Sequence, residues 1–151
     1  MAPMVDMPRK EVPPPLELVK SRISEVLPPD AQGEIDSGAV ALIDTREPDR
    51  FEKGHLSGAV NVPAGDNGVN AHSGDFAEAI AGASDGKPAL LYCGTGNRSA
   101  RAADALTNEH GVEGVRSMIG GIKLWDDLGF PVEGTVEVDA EDVPDDEEGE
   151  G

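Results

Sequence analysis

Four consecutive apolar residues, Ala89-Leu90-Leu91-Tyr92, constrain the fold of this 151-residue chain most. Lys87-Pro88 precedes them and Cys93-Gly94-Thr95-Gly96 follows. A run this short, without polar alternation, reads as a strand buried on both faces, the habit of parallel sheets. The only cysteine of the chain ends that strand, two glycines turn the backbone, and an Ala-rich helical pattern begins at about Arg98. Open α/β sheets bind ligands at the carboxyl ends of their strands. The N–H groups of a tight loop and the positive end of a helix form a cradle for an anion there. A thiol in such a cradle is expected to ionise below its free value of about 8.5. The stretch therefore predicts an activated thiolate at Cys93.

The rest of the chain supplies the sheet and helices that such a strand needs. Ile23 to Leu27 reads as an edge strand and Asp30 to Ser37 as a short helix stopped by Gly38. Val40 to Ile43 is a second buried run, Pro48 to Lys53 a turn of helix, and Ala59 to Val62 a third strand closed by Pro63. Ala64 to Gly74 reads as a surface loop and Phe76 to Ala81 as a small helix. In the helix after Cys93, Ala102, Ala103 and Leu106 share one face, leaving Arg101, Asp104 and Asn108 to water. Val115 to Ile119 is the next strand; Gly120-Gly121 turns into a helix that packs through Ile122, Leu124, Trp125 and Leu128. Strands alternating with helices predict an α/β domain of three layers, a central parallel sheet flanked by helices. Its expected bounds are 23–134. Residues 1–22 read as an extended or flexible lead-in, in which Leu16 to Val19 could start a short helix, and 135–151 as an acidic disordered tail.

Thirty Asp and Glu oppose twelve Lys and Arg, a formal charge of −18. Nine of the acids fall in 137–150, yet the remaining residues still hold 21 acids against 12 bases. Such a field repels phosphate backbones, so nucleic acid is not an expected partner. The acidity fits solvation in high salt, plain solubility, or docking of a basic partner by the tail. One cysteine excludes an internal disulfide, and His55, His72 and His110 lack ligand spacing, so no metal is expected. No apolar run approaches a membrane span and no signal-peptide core is present. A free reactive thiol suits a reducing compartment, which makes cytoplasmic the expected location.

Four segments in register resemble the rhodanese family of sulfurtransferases. They are Leu42 to Glu47, Phe51 to Asn61, the loop Cys93 to Ser99, and Gly120 to Val132. The resemblance implies a rhodanese-like domain with no cofactor. Its chemistry would be transfer of sulfane sulfur, from a small donor such as thiosulfate to a small thiol, cyanide or a protein acceptor, through a persulfide on Cys93. It implies that Gly94, Thr95, Gly96, Asn97, Arg98 and Ser99 surround that sulfur, with Arg98 attracting an anionic donor and Ser99 capping the helix as it donates to the site. Gly94 departs from the basic residue that follows the cysteine in many thiosulfate-using members. Cys-Gly-Thr-Gly instead resembles mercaptopyruvate-using relatives. Four residues between Cys93 and Arg98, rather than five, argue against the related dual-specificity phosphatases. A non-catalytic partner-binding module is the alternative from another class.

Other residues carry blander expectations. Asp44 and Arg46, at a strand end, either line the pocket or form a structural ion pair or turn cap. His55 is expected to stabilise a turn rather than act as a base, since a low-pKa thiol needs none. Trp125 is expected in the core, its indole N–H finding a carbonyl.

Overall fold

The computed structural model describes residues 14–136. Its central sheet contains β1 (Ser24–Val26), β2 (Ala41–Asp44), β4 (Val60–Asn61), β5 (Ala89–Tyr92) and β6 (Arg116–Met118), all parallel, in the order β1-β6-β5-β2-β4. A separate antiparallel pair joins β3 (Gly54–His55) to β7 (Glu133–Gly134). The helices are α1 (Leu16–Ser21), α2 (Pro28–Ser37), α3 (Pro48–Lys53), α4 (Gly74–Ser84), α5 (Asn97–Asp104) and α6 (Gly121–Asp127). This is the α/β architecture expected, a parallel sheet covered on both sides.

Alternation along the inner strands creates the two halves of the core. Ile43, Ala89 and Leu91 face one way and meet Phe76 and Ile80 of α4 and Ala102, Ala103 and Leu106 after Cys93. Leu42, Leu90 and Tyr92 face the other way and meet Ala31 of α2, Leu56, and Ile122 and Trp125 of α6. All four residues of β5 are buried, as a central parallel strand requires. Pro28 opens α2 at a position where a missing N–H costs nothing, and Gly38 closes it at φ 77°. The Trp125 indole donates to the Pro131 carbonyl at 2.8 Å, and Phe130 meets the ring edge-on at 5.1 Å.

Several expectations are corrected. Residues 66–72, read as surface loop, form short 3₁₀ turns broken at Asn67 and Gly68, with Gly68 and Ala71 buried. Ala64 and Ala71 are small enough to join the core, and His110 Nε2 approaches the Ala71 carbonyl at 3.0 Å, so the segment is anchored. Helix α4 is longer than Phe76 to Ala81, because Ser73 Oγ accepts the Phe76 N–H at 3.2 Å and caps it early. Asp104, expected in water, is buried and receives Arg22 Nε and Nη2 at 2.7 and 2.8 Å and Asn108 Nδ2 at 2.8 Å. Leu128, expected to pack, is exposed because α6 ends at Asp127. Upstream of residue 23, the short helix that Leu16 to Val19 could start is present as α1, which buries Val19 completely and packs against α5. Beyond residue 136 the expected acidic tail lies outside the described residues, as does the start of the lead-in.

Candidate active site

The strand order makes β5 a point of divergence. The chain leaves β5 through α5 to β6 on one side, whereas β2 leads to β4 on the other. Open parallel sheets bind ligands at the carboxyl ends of their strands beside such a divergence. Register aligns Asp44 with Tyr92, which brings Thr45, Arg46 and Cys93 together just beyond the sheet. Thr45 ties the two strand ends, its N–H and its hydroxyl both donating to the Tyr92 carbonyl, at 2.9 and 2.8 Å.

Cys93 follows immediately. Its Sγ accepts the backbone N–H of Gly96 at 3.1 Å and that of Ser99 at 3.3 Å. Gly96 adopts φ 99° as the residue preceding α5, a conformation that turns its N–H back toward the sulfur. The sulfur is fully buried: Cys93 has no exposed surface, and the loop above it is open to solvent only partially at Thr95 and Asn97. Amide hydrogens therefore converge on a sulfur that is covered by its own loop.

A second glycine pair fixes the loop from below. The N–H groups of Ile122 and Lys123, at the start of α6, donate to the carbonyls of Cys93 and Gly94 at 2.9 and 3.0 Å. Gly121, at φ 61°, lies so close that a Cβ there would stand 2.4 Å from the Cys93 oxygen. The carbonyls of the loop are thus held by α6, which leaves its N–H groups free to turn toward the sulfur.

Ser99 corrects one expectation. Gly96, not Ser99, precedes the helix, and the Ser99 hydroxyl turns to Ser117 Oγ on β6 at 2.8 Å. Only the Ser99 N–H enters the cradle. Arg98 is almost wholly buried, and its Nη1 lies 3.7 Å from Glu47 Oε2.

Asp44 and Arg46 form an ion pair with no exposed side-chain surface. Arg46 Nη2 and Nε donate to Asp44, and Nη2 also reaches the Gly54 carbonyl at 2.6 Å. The Arg46 backbone N–H donates to Asp44 Oδ1 at 2.9 Å, which caps the turn. Burial opposes the Arg46 charge, but the hydrogen bonds and charge of Asp44 outweigh it. Smaller contributions come from Tyr92 and Cys93, and together these hold the guanidinium above its ordinary value. Both structural roles that the sequence left open are therefore present. Burial, with the Asp44 charge beside it, raises the Tyr92 hydroxyl well above the usual tyrosine range. That hydroxyl accepts the Leu56 N–H at 3.0 Å.

Sequence reasoning missed Ser117, Tyr92 and Asn61. Asn61 Nδ2 donates to the carbonyls of Asp44 and Arg46 at 3.0 and 2.9 Å and so clamps the end of β2. His55 behaves as expected: Nδ1 meets the Phe51 carbonyl at 2.8 Å and the ring stacks on Phe51. Among the described residues no group of three or more His, Cys, Asp or Glu is placed to hold a metal, and no helix is long and apolar enough to cross a membrane. A recess of about 600 Å³ between Arg22, Pro88, Thr107 and Arg116 lies at the opposite end of the strands, away from Cys93.

Comparison with known proteins agrees with this fold. The family model of the rhodanese-like domain matches residues 27–128. The chain is 35% identical over 94 residues to thiosulfate sulfurtransferase 16, chloroplastic, of Arabidopsis thaliana, covering 59% of this chain and 76% of that protein. It is 35% identical over 105 residues to thiosulfate sulfurtransferase GlpE of Pseudomonas syringae, covering 70% and 89%. Among solved structures, a thiosulfate sulfurtransferase from Pseudomonas aeruginosa superposes with a TM-score of 0.62 at 19% identity, over 82% of this chain and 23% of that one, a likeness of fold. A Rhodopseudomonas palustris protein of unknown function, described as a possible tyrosine phosphatase, gives 0.60 at 26% identity, over 78% and 90%.

Proposed function

Because the chain belongs to the rhodanese-like family, we propose that it is a sulfurtransferase that carries sulfane sulfur on Cys93. The observation that carries the reading is the convergence of the Gly96 and Ser99 N–H groups on Sγ. Hydrogen bonds to a charged form favour it, and these two are worth more in a site that excludes water. The thiolate attacks the outer sulfur of thiosulfate. A Cys–S–S bond forms, the S–S bond of the donor breaks, and sulfite leaves with its electron pair. The terminal sulfur of the persulfide then bears the charge. A thiolate or cyanide acceptor attacks that terminal sulfur and returns Cys93 as a thiolate.

Gly94, Thr95, Gly96, Asn97, Arg98 and Ser99 supply the walls of this site in the proposal. Thr95 and Asn97 are its half-exposed rim, which must part to admit a donor to a sulfur without exposed surface. Asp44 and Arg46 act as a brace beneath it rather than as ligands. The domain functions as one unit over 23–134 with α1 attached. A cytoplasmic setting fits a free nucleophilic thiol.

Mass spectrometry of the intact protein after exposure to thiosulfate tests the reading. A gain of one sulfur atom is expected, reversed by cyanide and absent in Cys93→Ser. No sulfur uptake from thiosulfate or from an organic persulfide would leave a partner-binding module as the better account. Hydrolysis of an aryl phosphate without sulfur uptake would favour a phosphatase.

A further inference from the structure

The segment 64–72 crosses the first turn of α5, the helix that brings the Ser99 N–H to the sulfur. Its upstream end is tied to the strand end beneath the site. There the Ala64 N–H donates to the Thr45 carbonyl at 3.0 Å, and Thr45 in turn holds the carbonyl of Tyr92, the residue before Cys93. Its downstream end is tied beyond the last turn of α5, where His110 Nε2 meets the Ala71 carbonyl at 3.0 Å and His72 Nδ1 lies 2.7 Å from Glu109 Oε1. Gly65, Asn67 and Gly68 adopt left-handed φ of 81°, 54° and 72° between these ties. The backbone so bent leaves Asn67, Val69 and Asn70 exposed and turns Gly68 inward, where it is buried.

Gly68 rests on the backbone of α5. A Cβ added to it would stand 3.3 Å from the Arg98 carbonyl oxygen, 3.4 Å from the Ala102 nitrogen and 3.0 Å from Arg101 Cβ. The first two are the acceptor and donor positions of one helical turn, so none of the three can swing aside alone. The Arg98 carbonyl belongs to the same peptide unit as the Ser99 N–H, which lies 3.3 Å from Cys93 Sγ. That unit is planar and trans, with its oxygen on one side and its N–H on the other. Pressure on the oxygen therefore moves the N–H with it. We infer that Gly68 is a positioning residue for the sulfur site, setting the Ser99 N–H against Sγ through the Arg98 carbonyl. The inference rests on the reading of Cys93 as the sulfur carrier and adds a support from outside the loop. A hydrogen bond to the charged form favours the thiolate, so displacing this one should disfavour it.

Gly68→Ala tests this, with Gly111→Ala as comparator. Gly111 has φ 71° and no atom within 4 Å of an added Cβ, so it incurs the same conformational cost without the contact. The readout is a pH titration of the thiolate ultraviolet absorbance on folded protein, with Cys93→Ser as blank. Partial loss of one hydrogen bond to the thiolate should raise the midpoint of Gly68→Ala by roughly half a pH unit and slow sulfur loading about threefold. Gly111→Ala should keep the parental midpoint and rate. Ala71→Gly removes a fully buried methyl that seats the segment and adds no atom. It should move the midpoint in the same direction by a smaller amount, and it decides the matter if Gly68→Ala does not fold. A parental midpoint in Gly68→Ala, an equal shift in Gly111→Ala, or a parental midpoint in Ala71→Gly where the first variant is unfolded would overturn the inference. Failure of the parent protein to load sulfur would remove the sulfurtransferase reading, while the titration would still decide whether Gly68 positions the cradle.

Discussion

Gly121→Ala is the sharpest test of how the reaction loop is held. The residue sits at φ 61°, where an L side chain costs about 1–2 kcal/mol. An added Cβ would stand 2.4 Å from the Cys93 oxygen and 2.5 Å from the Gly94 oxygen, both backbone atoms. Neither can move without carrying the loop with it. Moving α6 away instead breaks the Ile122 and Lys123 N–H bonds to those carbonyls, each worth about 1 kcal/mol. The total is about 3–4 kcal/mol, equivalent to a fall in melting temperature of roughly 10–15 °C for a domain of this size. Gly129→Ala is the comparator. At φ 87° with no atom within 4 Å of the new Cβ, it incurs only the conformational cost of about 1–2 kcal/mol. Thermal unfolding followed by far-UV circular dichroism measures both. The folded fraction of Gly121→Ala should also take up sulfur more slowly, since the cradle above Sγ has shifted. Equal melting temperatures for the two variants, or full loading rate in Gly121→Ala, would refute the argument.

Two further outcomes follow from the buried polar groups. Burial of Asp104 opposes its charge, but hydrogen bonds from Arg22 and Asn108 and the Arg22 charge outweigh it, so its carboxyl lies below the ordinary range. The stability this contributes is present above the unfolded value near about pH 4 and is lost as pH falls through the depressed folded value. Denaturant unfolding should therefore show Asp104→Asn weaker than the parent by about 1–3 kcal/mol at neutral pH, with the difference closing in acid. A constant difference across pH would remove the ionic account. Ser117→Ala leaves Ser99 Oγ without the contact at 2.8 Å and should cost about 1–2 kcal/mol by the same assay. Its sulfur loading should match the parent, because the Ser99 N–H that faces Sγ is untouched. Loss of loading at unchanged stability would give Ser117 a direct part in the site.

The strands that bear the site were legible because parallel strands buried on both faces are apolar throughout. Ala89 to Tyr92 needed no periodicity to be recognised. The loop was legible for a related reason: glycines beside a lone cysteine mark a backbone brought close to one atom. What escaped detection depends on residues far apart in the chain. Arg22 and Asp104 are 82 positions apart, and nothing local marks an aspartate on a helix as buried. Ser99 and Ser117 meet only because β6 lies beside β5. The β3–β7 pair consists of two two-residue strands, each containing a glycine, which is too short for alternation to register. The 3₁₀ turns at 66–72 were hidden by glycine and asparagine, whose loop preference was overridden when Ala64 and Ala71 found the core.

The link between Arg22 and Asp104 also bears on how the protein can be cut. The segment matched by the family model begins at residue 27, and so includes the aspartate and omits its arginine. It ends at 128, before the strand that hooks the C-terminal side back onto Gly54. A fragment trimmed to the shared segment would keep every atom of the reaction loop, yet would strand an inward-facing anion on the helix that carries it.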